Sequence, residues 1–311
     1  EKAGCSAPPI PAVTKRAAGD GAAARQTGSV VPTDEHPGGA WTARGLAGGV
    51  VSAAQLLALD DVQIVETGRT ADEFESGHIP GSVYLPWRSI WRKIDGVEGR
   101  LPPPARVAAS IRETGLDPRR PVVVYDDHGG ARCGRLLFVL EMLGFPRLAL
   151  VDGGLTAWLR FGVPLETGKA SGSRVAAPLD VPQAWERVID VADLATRLDE
   201  VDVLDTRTRA EYAGSDVRAK RAGRIPGSVN INWQQNIDPE TRTLKPREEL
   251  RELYEEYLST TSPLVLTCQS GRRSCQTWYV LKLLGRTENV YVYDGSWTEW
   301  GNREDLPIEK P

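Results

Sequence analysis

Cys268 stands at the end of the apolar run Leu264-Val265-Leu266-Thr267 and opens the loop Gln269-Ser270-Gly271-Arg272-Arg273-Ser274. A strand hands a thiol to a short basic loop. Beyond Ser274, Trp278, Leu281 and Leu284 recur at three- and four-residue spacing and Gly285 marks a stop, so a helix is expected after the loop. Free backbone N–H groups and the positive end of a helix dipole stabilise an anion, and Arg272 and Arg273 add positive charge. The thiol pKa should therefore fall below its ordinary value of roughly 8.5, which makes Cys268 a candidate nucleophile and Gln269 to Ser274 a candidate cradle for an anionic substrate.

The other groups able to do chemistry are less promising. The cysteines at positions 5, 133, 268 and 275 form no CxxC pair and no evident disulfide framework. Cys275 falls inside the expected helix and Cys133 lies by a loop with one arginine fewer, so both are expected to be packed side chains rather than reactive thiols. His36, His78 and His128 are far apart, and neither a metal site nor a cofactor is expected.

The strand, loop and helix around Cys268 occur twice. Val123 to Cys133 aligns without a gap over Leu264 to Ser274, which sets Asp127 opposite Cys268. Further pairs are His78-Ile79-Pro80-Gly81-Ser82-Val83 with Arg224-Ile225-Pro226-Gly227-Ser228-Val229, Trp87 with Trp233, and Asp152-Gly153-Gly154 through Trp158 with Asp294-Gly295-Ser296 through Trp300. A repeat of well over a hundred residues indicates two domains of one fold, since solenoid units run at roughly 20 to 50 residues.

On these motifs the chain, from about Gly49 onward, resembles the tandem-domain rhodaneses, a family of sulfurtransferases. The resemblance implies an N-terminal domain that has lost its cysteine, here Asp127, a C-terminal domain that keeps it, here Cys268, and a site facing the crevice between them. It implies sulfur transfer from a donor such as thiosulfate to cyanide or a thiol through a Cys268 persulfide. Asp205 is expected to orient the catalytic loop. Arg207 is assigned to that same network or to the anion pocket, with a surface ion pair to Glu211 as the bland alternative. Some phosphatases share this fold and use a cysteine loop, but they need five residues between cysteine and arginine, and only four separate Cys268 from Arg273. A non-catalytic sulfur-binding or docking module is the reading from another class. Against mercaptopyruvate as donor stands Glu211, which occupies the position where enzymes for that substrate carry a carboxylate-clamping arginine; Glu211 is expected to repel the donor. Arg224 in place of His78 is expected to be surface variation. Trp233 and Trp297 are expected to line core or crevice.

The elements that must hold these residues follow from patterning. Apolar runs at 63–65, 122–125, 148–151, 201–204, 264–267 and 290–293 read as strands, with helical stretches at 52–59 and 191–198. Alternating strands and helices imply an α/β fold of two tandem rhodanese-like domains, each a mostly parallel sheet flanked by helices. The expected organisation is a flexible arm at 1–40, a domain without catalytic cysteine at 41–165, a linker at 166–183 and a catalytic domain at 184–311. With 311 residues, 41 % hydrophobic and 26 % charged, each half can bury a core. A net charge of −4 without a basic cluster beyond the Cys268 loop argues against nucleic acid or anionic membrane as partners, and no stretch approaches the ~18 apolar residues of a membrane span. The chain opens at Glu1 and its one Met is Met142, so processing before residue 1 is expected, with export to the periplasm favoured over a cytoplasmic location. Lys2 occupies the place where a lipoprotein signal at Cys5 would need an apolar residue.

Overall fold

The computed structural model describes residues 45–170 and 178–310. The expected arm with Cys5 and His36, and the middle of the expected linker, lie outside the described residues.

The first half runs β1 (Val50–Val51), α1 (Ala53–Leu57), β2 (Gln63–Thr67), α2 (Ala71–Ser76), β3 (Ser82–Leu85), β4 (Arg92–Ile94), β5 (Val97–Arg100), α3 (Pro104–Thr114), β6 (Val122–Tyr125), α4 (Ala131–Met142), β7 (Leu148–Val151) and α5 (Gly154–Phe161). The second half follows with β8 (Val188–Ile189), α6 (Val191–Thr196), β9 (Asp202–Asp205), α7 (Arg209–Ala213), β10 (Val229–Asn230), α8 (Arg247–Leu253), α9 (Glu255–Leu258), β11 (Leu264–Thr267), α10 (Arg272–Leu283), β12 (Val290–Tyr293) and α11 (Ser296–Trp300). The five-stranded sheets have the orders β1-β7-β6-β2-β3 and β8-β12-β11-β9-β10, the same winding in both halves, with every pairing parallel. β6 and β11, central in their sheets, are buried along their whole length, which is why they read as unbroken apolar runs. No helix among the described residues is long and apolar enough to cross a membrane.

The outer sheet faces carry a separate apolar cluster in each half, but a third cluster runs through both, from Val50, Leu136 and Phe138 to Leu266, Trp278 and Val292. Its axis is the packing of α4 on α10. Gly134 makes this approach possible, since a Cβ there would stand 2.5 Å from the Gln276 Cα. Two aspartates clasp the seam reciprocally. Asp152, after β7, accepts the Leu244 N–H at 2.7 Å, and Asp294, after β12, accepts the Leu101 N–H at 2.6 Å.

The His78 to Arg224 exchange is not surface variation. His78 is fully buried, stacked on Phe74 with ring centroids 3.9 Å apart, and its backbone pairs with Glu166. Arg224 is half-buried over the Tyr212 ring and pairs with Glu309 in the same bridge geometry. Each residue clamps the last segment of its own half, and Glu166, expected as the first linker residue, is thereby bonded into the first domain.

Candidate active site

Cys268 follows β11 directly, at the carboxyl edge of the sheet where ligands bind in open α/β folds. α10 begins at Arg272, three residues earlier than the apolar spacing suggests, with Gly271 as N-cap at φ 73°. Arg272 to Ser274 therefore form the first helical turn, whose N–H groups have no partner four residues back. The cradle is made there. Ser270 N–H lies 3.4 Å from the Cys268 sulfur and the Ser274 hydroxyl 3.7 Å, with the thiol side chain 1 % exposed. Burial alone would raise the thiol pKa. The charge of Arg273, the N–H groups of Ser274 and Ser270, and the Ser274 hydroxyl outweigh it, so the pKa lies below the ordinary thiol value. Cys133 and Cys275 show the opposite balance. Burial pushes Cys133 well up and Cys275 up to about 12, as expected for packed thiols.

The two loop arginines divide their work. The Arg273 guanidinium is buried behind the loop, paired fork to fork with Glu211 at 2.7 and 2.8 Å. Arg272 is partly buried, and among the described residues no hydrogen bond or ion pair engages its guanidinium. Gln269 turns away from the sulfur, its amide donating to the Arg218 carbonyl and the Thr298 hydroxyl. The loop is held from below by Ser296, whose hydroxyl oxygen accepts the N–H groups of Cys268 and Gly271, each at 3.2 Å. The first half covers it from above, because β5 passes so close that a Cβ on Gly99 would stand 2.6 Å from Ser270 Cβ.

Three expectations are corrected. Arg207 lies neither in an anion pocket nor on the surface beside Glu211 but in the Asp205 network, the other of the two places expected for it. It is 1 % exposed, grips Asp205 through Nε and Nη2 at 2.7 to 3.0 Å, donates to the Gly223 carbonyl and lies over the buried Trp297 ring at 4.4 Å. Asp205 correspondingly makes no direct bond to the loop. It fixes Arg207, which packs on the ring of Trp297, and the backbone N–H of Trp297 donates to the Cys268 carbonyl at 3.0 Å. Glu211, finally, does not face a substrate. It is 1 % exposed, caps α7 with Thr208 and neutralises Arg273. Burial works against this carboxylate, but the bonds and charge of Arg273, with those of Thr208, hold its pKa at about 2. The repulsion argument against mercaptopyruvate therefore falls.

In the first half the same loop is filled from within. The residue that plugs it is Asp126, one place before the position aligned with Cys268. Its carboxylate accepts the N–H groups of His128, Gly130, Arg132 and Cys133 at 2.8 to 3.0 Å. Asp127 instead turns outward to Arg132 at 3.0 Å. The residues that reading the chain did not find are Asp126, Ser296 and the β4–β5 hairpin. Ser296 had a visible signal, since it replaces Gly154 of the other copy.

The Rhodanese-like domain model matches residues 51–161 and 190–303. The chain is 36 % identical over 244 residues to a thiosulfate sulfurtransferase of Pseudomonas aeruginosa, covering 77 % of this chain and 88 % of that protein. It is 30 % identical to a 3-mercaptopyruvate sulfurtransferase of Escherichia coli, covering 78 % and 87 %. The wild-type structure of EanB superposes with a TM-score of 0.73 at 22 % identity, over 85 % of this chain and 70 % of the other, which is a likeness of fold.

Proposed function

Because the chain belongs to the rhodanese-like family, we propose that it is a sulfurtransferase in which Cys268 carries the sulfur and thiosulfate is the preferred donor. The observation that carries the reading is the Cys268 sulfur itself, set in a loop whose N–H groups and nearby Arg273 favour its anion. The thiolate attacks the outer sulfur of thiosulfate; the sulfur–sulfur bond of the donor breaks and its electron pair leaves with sulfite. The product on the protein is a Cys268 persulfide, whose terminal sulfur is an anion for the same N–H groups to hold. Cyanide or a thiolate then attacks that outer sulfur, and the electron pair of the second broken bond returns to Cys268. The cycle is ping-pong and draws on no cofactor.

Thiosulfate is favoured because it is a compact dianion whose sulfonate end the Arg272 guanidinium can meet at the loop mouth. The 36 % identical relative named for thiosulfate supports the same choice. The test measures kcat/KM for thiosulfate and for mercaptopyruvate with cyanide as acceptor, alongside peptide mass spectrometry after donor treatment. Thiosulfate should lead, one sulfur atom should be added on Cys268, and Cys268→Ser should lose both signals. A protein that clearly prefers mercaptopyruvate overturns the donor assignment. Sulfur found on Cys275, or turnover by Cys268→Ser, overturns the mechanism.

A further inference from the structure

Arg135 belongs to the half without the cysteine, yet it reaches into the loop that carries Cys268. It lies on α4 and is completely buried. Its Nη1 donates to the Gly271 carbonyl at 3.3 Å, its Nη2 to the Gly99 carbonyl at 2.8 Å and its Nε to the Ile90 carbonyl at 3.2 Å. Nη2 also stands 2.6 Å from Asp294 Oδ1 as a buried ion pair, and Nη1 lies 3.8 Å from the Cys275 sulfur. One guanidinium thus joins the segment covering the site, the N-cap of α10 and the seam aspartate.

We propose that Arg135 is a positioning residue for the Cys268 loop, supplied by the first domain, which aims the loop's N–H groups and offsets the carboxylate packed against it. The proposal rests on the reading of Cys268 as nucleophile. In a planar trans peptide the carbonyl and the following N–H point in opposite directions. Holding the Gly271 carbonyl toward α4 therefore turns the Arg272 N–H away from it. The Gly271 N–H is already taken by Ser296, so the residue is pinned from both sides.

The electrostatic part has the same address. A Cβ on Gly271 would lie 2.9 Å from Asp294 Oδ1, so this carboxylate sits directly against the loop, where a negative charge opposes a thiolate. Arg135 offsets it. The charged and titratable groups around the sulfur are Arg273 of α10, backed by Glu211 of α7, with Arg272 and Cys275 of the same helix, while the Arg135–Asp294 pair from α4 and the end of β12 packs against Gly271 of the loop. The matching aspartate of the first half, Asp152, has no ion-pairing cation among the described residues, and burial pushes its carboxyl up to about 6. The residue in its half of the symmetry that corresponds to Arg135 is Gln276, which is uncharged.

The test follows the pH midpoint of Cys268 alkylation by iodoacetamide, read at the Cys268 peptide, with kcat and KM for thiosulfate, in the full chain. Arg135→Met should raise the midpoint by about one pH unit and lower kcat about tenfold or more, with KM changed less. Arg135→Lys should recover most of the midpoint, because charge returns, but only part of kcat, because an ammonium cannot span the three carbonyls. Arg135→Met/Asp294→Asn removes both buried charges and should keep the fold, the amide oxygen at position 294 still accepting the Leu101 N–H. Its midpoint should rise by about half a unit while kcat stays low. A folded Arg135→Met with the wild-type midpoint and kcat overturns the proposal; should the single variant fail to fold, the same result in the double variant overturns it. Alkylation needs no sulfur transfer, so a wild type without turnover would sink the functional reading and leave this midpoint test standing.

Discussion

The loops after β6 and β11 each lead from a central strand into a helix capped by a left-handed glycine, and their contents are opposite. In the first, the Asp126 carboxylate takes four N–H groups that would otherwise be unpaired at a buried helix start. In the second, the equivalent residue is Thr267, whose buried hydroxyl engages none of the described residues, and the N–H groups turn to the Cys268 sulfur instead. The loop is thus an anion cradle in both halves. One copy closes it permanently with its own carboxylate and gains rigidity. The other leaves it for a thiolate and for whatever sulfur that thiolate acquires. The first loop, without a cysteine, leads into the helix from which Arg135 reaches the second.

The largest test of this contrast is Arg273→Gln. It leaves Glu211 buried with only Arg218, at 3.7 Å, nearby, and should cost about 3 to 5 kcal/mol in denaturant unfolding. It should also shift Cys268 alkylation to higher pH. Adding Glu211→Gln should restore much of the stability without restoring the thiol midpoint, which separates fold from function. The double variant should further lose one acid transition. Glu211, depressed in the folded protein, contributes stability above about pH 4.5 that disappears as the pH falls toward about 2.

Asp126→Ala attacks the other loop. Four N–H groups lose their acceptor, and a destabilisation of about 3 kcal/mol is expected with little change in the Cys268 alkylation midpoint. A large loss of thiol reactivity in the folded variant would show that the two loops are not independent in this respect.

Asp152→Asn probes the seam. Burial raises the Asp152 carboxyl to about 6, so the folded state binds its proton more tightly than the unfolded chain does. The associated stability is present below about pH 4 and is lost as the pH rises through about 6. The variant should therefore unfold at higher denaturant than wild type at pH 7.5, by up to about 2 kcal/mol, and the difference should vanish near pH 4. Smallest is Arg272→Gln, for which KM for thiosulfate should rise about tenfold, equivalent to about 1.4 kcal/mol, with the alkylation midpoint moving less than in Arg273→Gln.

How far the chain itself discloses these arrangements depends on the kind of residue. β6, β7, β11 and β12 emerge at the boundaries their apolar runs suggest, because parallel strands covered on both faces carry nearly continuous apolar and aromatic residues. The thiol is legible too, since a cysteine between such a strand and a glycine-containing basic loop has few structural roles. Charged residues are not legible in the same way. Glu211 and Arg273 look like surface groups by type, and what buries them is a partner across the fold: Arg273 meets Glu211 from 62 positions away. Asp126 and Asp127 are indistinguishable in the sequence, and only the turn of the backbone decides which fills the loop. The β4–β5 hairpin is short, polar and half-exposed, so no periodicity announced it.

The shared central cluster and the close passage of Gly134 over Gln276 bear on how the two halves came to need one another. Each half alone would expose the α4 or α10 face of that cluster, an apolar surface that a free domain would have to cover with another copy or a partner. Peptide continuity between them therefore acts mainly as a tether that keeps the local concentration of one half around the other high. A chain nicked between residues 170 and 178 should remain a tight, working complementation pair, whereas two halves bearing Gly134→Leu should part. In this molecule domain fusion is a matter of supply, and the recognition that makes one enzyme from two folds is written in the helix pair.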